Sequence, residues 1–289
     1  MLERLFYFHQ FSKQYTMDRI EIKVLAYDAI LAAIEAGKEI LDVYENTFEV
    51  EYKDDKSPLT IADKRAHQKI VHMLKETGIP VLSEEGRELA YSERKDWQLL
   101  WVVDPLDGTK EFIKQNGEFT VNIALIEKGS PIMGVVYVPV DETLYVGAPE
   151  FGAYRIDKAA HITDTDNLED WMAKGVSLPE KQDRPYTMVG SRSHMSDETA
   201  AFFDEVRRDY PDSEVISRGS SLKICMVAEG SADVYPRFAP TMEWDTAAGH
   251  ALAKGAGFEI YQAKNDGEPL QYNKEDLLNP WFIVKKPLS

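Results

Sequence analysis

WVVDPLDGTKEF, residues 101–112, sets two carboxylates on a rigid turn at the end of an apolar strand. The run LLWVV, residues 99–103, is short and wholly apolar, as in a strand buried on both faces, and it stops at Asp104. Pro105 fixes the turn, Gly108 permits a tight backbone and Thr109 supplies a hydroxyl. Two carboxylates three residues apart, Asp104 and Asp107, suit a hard cation, which wants several oxygens within about 2.0–2.6 Å. The Leu106 carbonyl, exposed by the same turn, can be a further ligand. The competing reading is an Asp-Gly turn with an Asx cap, frequent in any protein.

Upstream, Ile20, Val24, Tyr27, Ile30, Leu31, Ile34, Ile40 and Leu41 recur at helical spacing, which predicts a long amphipathic helix to about Val43. The polar stretch EYKDDKSP, residues 51–58, separates it from a second helix opened by Thr60 and Asp63 and closed by Gly78 and Pro80. Val81 and Leu82 form a short strand leading into SEEG. Downstream, residues 119–156 alternate through FTVNIALI, IMGVVYV, TLYVGA and GAYRI, which predicts an antiparallel meander. From about residue 157 the polar stretch DKAAHITDTDNLED reads as a connection between domains.

The second half alternates in type. Strands are expected at YTMVGS, EVIS and ADVYPR, and helices at Asp197–Asp209, near 220–230 and from about Trp244 to Ala256. FEIYQ and WFIVKK close the chain. The expected division is an N-terminal extension of no assigned role at 1–16, an α+β domain at 17–157 and an α/β domain at 158–289.

Other acidic residues join the turn as candidates. Glu84 and Glu85 follow a short strand, Asp63 sits in SPLTIAD, and Asp245 opens a helix in EWDTAAGHAL. Each has an ordinary alternative: Asp63 as part of a capping box with Thr60, Asp245 as a complement to a helix dipole, the glutamates as solvated loop charges. In the second half, Ser220 and Lys223 at a helix N-terminus would make an anion site. The Arg237 fork matches phosphate, and the His194 imidazole can stack on a purine. The alternatives there are a helix cap, a solvated lysine, a salt-bridged arginine and a loop histidine.

Taken in order, SPLTIAD, SEE, WVVDPLDGTKEF and EWDTAAGHAL resemble the metal-dependent, lithium-sensitive inositol monophosphatase superfamily from about residue 20 to the end. The resemblance implies a layered αβαβα sandwich with the active site between its two halves. It implies metal ligands at Glu84, Asp104, the Leu106 carbonyl, Asp107 and Asp245, with Asp63 at a further metal and its water. Two or three Mg²⁺ per site are expected. By the same resemblance Asp63 and Thr109 activate the attacking water, Glu84 positions it, and the Gly108 and Thr109 amides hold phosphate oxygens.

VGSRSH, RGSSLKICMVAEGSADVYPR and APTMEWDTAAGHAL resemble the 3′(2′),5′-bisphosphate nucleotidase branch of the bacterial sulfate-assimilation type. That implies Ser220, Lys223 and Arg237 on the non-scissile 5′-phosphate and His194 on the adenine, with Glu84, Leu106, Asp107, Gly108, Thr109 and Asp245 also contacting substrate. The implied reaction releases AMP from adenosine 3′,5′-bisphosphate, with its 3′-phosphoadenylyl sulfate relative as a further substrate. The alternatives are an inositol or sugar monophosphatase and a nucleotide- or metal-binding protein without turnover. Ala239 stands where the branch usually has Gly, and Phe258 where it has a second Gly, and neither is a ligand.

Composition narrows the partners. The 289 residues carry 33 Lys plus Arg against 50 Asp plus Glu, a net charge of −17. That opposes broad binding to nucleic acid or an anionic membrane, yet not a small anion at a site with its own cations. Hydrophobic residues at 44% can fill a core. No run of 18 apolar residues is present, so no integral membrane segment is expected. Cys225 is the only cysteine, in an apolar helical setting, which suits a buried thiol in a reducing cytoplasm. The sequence leaves a homodimer and peripheral membrane association open.

Overall fold

The computed structural model describes residues 19–46, 58–161, 167–190, 196–265 and 267–287. The extension at 1–16 and His194 lie outside them.

Two long helices, α1 (Arg19–Asn46) and α2 (Pro58–Leu74), pair along one another. After α2, a single 3-10 turn ends at Gly78 in the left-handed region, and the chain enters β1 (Val81–Ser83). A short helix α3 (Tyr91–Arg94), β2 (Leu99–Asp107) and the five-residue α4 (Thr109–Ile113) follow. Then come β3 (Thr120–Glu127), β4 (Ser130–Val138), β5 (Thr143–Ala148) and β6 (Gly152–Ile156), each antiparallel to the last.

The segment read as a polar connection holds structure. Helix α5 (Leu168–Lys174) starts from Asn167, whose side chain accepts from the Asp170 amide at 2.9 Å. Only Leu168 and Trp171 of α5 are buried, and Trp171 stacks on Tyr27 of α1 with ring centroids 4.9 Å apart. Leu168, Trp171 and Met172 keep helical spacing, but one turn set in the polar run DKAAHITDTDNLED is a short signal to read. Next, β7 (Val176–Leu178) pairs with β6 and completes a seven-stranded sheet in sequential order. The large sheet therefore includes residues from beyond position 157.

The remaining elements are β8 (Thr187–Gly190), α6 (Asp197–Asp209), β9 (Glu214–Ser217), α7 (Leu222–Glu229), β10 (Tyr235–Arg237), α8 (Glu243–Gly255), β11 (Glu259–Gln262) and β12 (Phe282–Lys285). β8 and β9 run parallel, β10-β12-β11 form an antiparallel sheet, and a bridge from Met188 to Val234 joins the two groups.

Layering follows from alternation. In β2, Trp101 and Val103 face the core under α1 and α2, while Leu100 and Val102 face the core that holds α7 and α8. Both faces are buried, which is why LLWVV shows no polar alternation. Helix α8 lies unusually close to the sheet. A Cβ at Gly134 of β4 would meet the Ala248 carbonyl at 2.2 Å, and one at Gly147 of β5 would meet Leu252 Cα at 2.7 Å. The small residues of TAAGHA and these two glycines are one packing device, split between a helix and two strands. Beyond α7 and α8 lies the second sheet, and α6 covers it through Phe203 against Met188 and Val234. The result is the αβαβα arrangement, with Cys225 buried in its interior.

Candidate active site

The site grows from the C-terminal end of β2. Between Asp104, opposite Asn122, and Asp107, opposite Thr120, β2 has two residues where β3 has one. This bulge takes Pro105 and Leu106 out of the ladder, so the Leu106 carbonyl is released by the backbone itself. Asp104 Oδ1 accepts from the Leu106 amide at 3.1 Å, so the Asx turn and the proposed ligand set are the same piece of structure. Gly108, with φ +99°, starts α4. A Cβ there would press on the Glu118 carbonyl at 3.1 Å.

Parallel pairing brings in Glu84. Ser83 of β1 sits opposite Val103, and the Glu84 amide donates to the Val103 carbonyl at 3.2 Å. Glu84 is thus the next residue along, one strand spacing of about 4.8 Å from Asp104. On α2, Asp63 and His67 share a face, being four apart, and His67 Nδ1 lies 2.9 Å from Ser83 Oγ. That contact aims the Asp63 face at Glu84 and Glu85. Asp245 is the third residue of α8, where its carboxylate accepts from the Met242 amide at 2.8 Å. It therefore does complement the helix terminus while facing the cluster.

Oxygens of Asp104, Asp107 and Asp245 lie within 4.8 Å of one another. The electrostatics record the crowding. Burial, then Glu85 and Glu84, raise Asp63 to about 8. Burial, then Asp107, raise Asp245 to about 7. Asp104, buried and facing Asp107, Glu84 and Asp245, is held well above the carboxylate range. Glu84 is raised chiefly by burial, and it shares a hydrogen bond with the Asp104 carboxyl. A carboxyl pair bonded in this way needs a proton where a cation could sit. Asp63 Oδ1 is buried without a partner. An all-oxygen, strongly anionic donor set with an orphaned carboxylate oxygen fits a hard divalent cation.

Beside this cluster opens a cavity of about 190 Å³, whose lining includes Asp107, Gly108, Ser220, Lys223, Arg237 and Asp245. Lys223 Nζ donates to the Ser220 carbonyl at 2.6 Å and lies 5.8 Å from the Tyr235 ring centroid. Burial opposes its charge, and Arg237 repels it, so its pKa falls to about 8 despite nearby carboxylates. Arg237 Nη2 reaches the Pro240 carbonyl at 3.3 Å, and its buried Nε has no partner. Thr109 stands exposed at the start of α4. The structure thus brings Asp104, Asp107, Asp245, Glu84 and Asp63 to one end of the large sheet, with Ser220, Lys223 and Arg237 alongside.

Sequence reasoning missed Thr120, Asn122 and Ser221, which are buried against Asp107. The signal was a lone Asn inside the apolar run FTVNIALI. It also missed Arg218 and Glu111, which line the same cavity.

The inositol monophosphatase family profile matches residues 22–285, and the chain belongs to that family. The chain is 44% identical over 261 residues to the 3′(2′),5′-bisphosphate nucleotidase CysQ of Salmonella typhimurium, a span covering 87% of this chain and 96% of that protein. The Escherichia coli K12 protein of the same name matches at the same identity and coverage. Among solved structures, CysQ from Bacteroides thetaiotaomicron superposes with a TM-score of 0.87 at 51% identity, covering 94% of this chain and 100% of that one. SuhB of Mycobacterium tuberculosis shares the fold, with a TM-score of 0.64 at 23% identity and 93% coverage of both chains. Among the described residues no helix is long and apolar enough to cross a membrane.

One consequence concerns pH. Asp63 and Asp245 keep their protons in the folded, metal-free chain at pH values where the unfolded chain has lost them. The folded state then binds more protons, so stability falls as pH rises through about 7 to 8. His67 and His250, held low by burial, work in the opposite direction, and their effect levels off once the unfolded imidazoles have lost their protons, about one pH unit above 6.5. Thermal unfolding in a chelator should show a midpoint that drops between pH 6.5 and 8.5, with Mg²⁺ restoring more at the upper end. A midpoint that rises across that interval contradicts the crowded-carboxylate description.

Proposed function

We infer that the chain is a 3′(2′),5′-bisphosphate nucleotidase, a phosphomonoesterase that hydrolyses the 3′-phosphate of adenosine 3′,5′-bisphosphate to AMP and phosphate. The observation that carries this reading is the single cavity that joins Asp107 and Asp245 to Lys223 and Arg237. An acidic cluster alone would serve any phosphate ester. Two cations beside it fit a substrate with a second phosphate, and the CysQ relatives agree.

In this reading Mg²⁺ is held by Glu84, Asp104, Asp107, Asp245 and the Leu106 carbonyl, with Asp63 at a further ion. The chemistry supplied by bound Mg²⁺ is activation of a water and neutralisation of phosphoryl charge. Thr109 and Asp63 orient the attacking water, with Glu84 positioning it, and Asp63 receives its proton. Such a base works best with a pKa near the operating pH. The water oxygen bonds to phosphorus, the bond from phosphorus to O3′ breaks, and O3′ leaves as a hydroxyl by taking a proton from solvent water, while the proton on Asp63 returns to solvent. Gly108 and Thr109 amides hold phosphoryl oxygens. Lys223, Arg237 and Ser220 hold the 5′-phosphate, and His194 is assigned to the adenine. The unpaired single cysteine suits a cytoplasmic enzyme.

The test is phosphate release with Mg²⁺ across adenosine bisphosphates, inositol phosphates and sugar phosphates. The specificity constant for adenosine 3′,5′-bisphosphate should exceed that for inositol 1-phosphate by about tenfold or more, the weight of one charged hydrogen bond. Lithium should inhibit. Faster turnover of inositol 1-phosphate overturns the substrate assignment.

A further inference from the structure

Behind Asp107 runs a hydrogen-bonded chain whose proton directions can be worked out. Thr120 Oγ1 donates to Asn122 Oδ1 at 2.9 Å, which fixes the amide so that its Nδ2 points the other way. Asn122 Nδ2 then donates to Ser221 Oγ at 3.0 Å and makes a longer contact of 3.5 Å with Asp107 Oδ2. Ser221 Oγ lies 2.9 Å from Asp107 Oδ2 and 2.9 Å from the Asp245 backbone carbonyl. Its hydroxyl has one proton and therefore serves one of these acceptors at a time. With Asn122 donating to it from the β3 side, both of its choices lie in the site. Ser220 Oγ lies 2.6 Å from the same Asp107 oxygen and 2.7 Å from Thr120 Oγ1, and with Thr120 donating to Asn122 the single Ser220 proton serves one of these two acceptors at a time.

Thr120, Asn122 and Ser221 are 0%, 1% and 3% exposed, so water does not substitute for any of these bonds. Buried polar groups of this kind persist only when satisfied. The chain also spans the fold. It starts on β3, crosses to the residue before α7, and ends on the Asp107 carboxylate at the end of β2 and on the Asp245 backbone carbonyl in the first turn of α8. Asp107 and Asp245 are 138 residues apart in sequence, and Ser221 is the side chain that touches both.

We propose that Thr120, Asn122 and Ser221 form a positioning relay that fixes Asp107 relative to Asp245 and thereby sets the affinity of the acidic cluster for a divalent cation. The proposal rests on the metal-dependent reading of the cluster and is independent of which phosphate ester is hydrolysed. Outer partners of this kind are worth about 10- to 100-fold in metal affinity when lost. The contacts from Asn122, Ser220 and Ser221 all fall on one oxygen of Asp107, Oδ2, which fixes the orientation of that carboxylate.

The experiment is calorimetric titration of Mg²⁺ into the metal-free full chain, without substrate, for the wild type, Ser221→Ala and Thr120→Val. Each variant loses one hydroxyl and little volume, and Thr120→Val is nearly isosteric. The variants' thermal midpoints are recorded in a chelator as a check on folding. Ser221→Ala should bind Mg²⁺ about 10- to 100-fold more weakly. Thr120→Val, which touches neither carboxylate, should weaken binding in the same direction by turning the Asn122 amide loose. Turnover should follow, with the Mg²⁺ concentration for half-maximal rate raised and kcat recovered at saturating Mg²⁺. Affinity within about twofold of the wild type in both folded variants overturns the relay while leaving the proposed reaction standing. A loss in Ser221→Ala with none in Thr120→Val likewise overturns it. Failure of the wild type to bind Mg²⁺ overturns the metal-dependent reading and the relay together.

Discussion

Asp104→Asn should lower turnover of the bisphosphate by at least about a hundredfold at saturating Mg²⁺ while the protein stays folded. Asp104 is 1% exposed and sits among Asp107, Glu84 and Asp245, so burial first and those carboxylates second push its pKa upward. A neutral amide removes a negative charge that this position disfavours when no cation is bound. Asn Oδ1 can also keep the bond from the Leu106 amide, now 3.1 Å long. What is lost appears only when cations bind, because one negative charge is missing from the centre of the donor set. The thermal midpoint in a chelator should match or exceed that of the wild type, whereas the gain on adding Mg²⁺ should shrink. Near-normal turnover in a folded Asp104→Asn protein would refute the metal site.

The same substitution shows why part of the site was legible in the sequence. Asp104, Leu106, Asp107 and Gly108 belong to one strand end and one bulge, so their relative placement is a local property of WVVDPLDGT. Glu84 is nearly as local, since one parallel register with β2 carries SEE to the same level. Asp245 could be named from EWDTAAGHAL, because the first turn of a helix is a readable position. Its nearness to Asp107 depends instead on how closely α8 seats on the sheet, which Gly134 and Gly147 of two other strands control. The relay residues lay beyond reach for that reason. Thr120 and Asn122 become site residues only through the bulged register of β2 on β3, and Ser221 only once α7 docks. β7 and α5 failed to register for another reason: a three-residue strand and a single apolar turn are too short for periodicity to show.

Lys223→Met and Arg237→Met test the other end of the cavity. Both cations still hold donors to spare. Lys223 donates to the Ser220 carbonyl at 2.6 Å and reaches the Arg218 carbonyl at 3.4 Å, while Arg237 reaches the Pro240 carbonyl at 3.3 Å and the Tyr235 side chain, and its buried Nε is unpaired. Burial and the charge of Arg237 together depress Lys223 to about 8, a tension that a doubly charged phosphate would relieve. Methionine keeps an apolar stem of similar length and removes the charge. If the pair grips the 5′-phosphate, each substitution should cost about 1.5–3 kcal/mol of binding, a fall of about ten- to a hundredfold in kcat/KM for adenosine 3′,5′-bisphosphate. Adenosine 3′-monophosphate lacks that phosphate, so its poorer kcat/KM should barely change. Both variants also touch the acidic cluster, Lys223 through Ser220, whose hydroxyl reaches Asp107 at 2.6 Å, and Arg237 through its charge on Asp245, so the comparison between the two substrates, and not the absolute loss, carries the test. Equal losses on both substrates in Arg237→Met would make that arginine structural and overturn the assignment. No loss on either substrate in both variants would place the 5′-phosphate elsewhere and remove the main support for a bisphosphate substrate outside the acidic cluster.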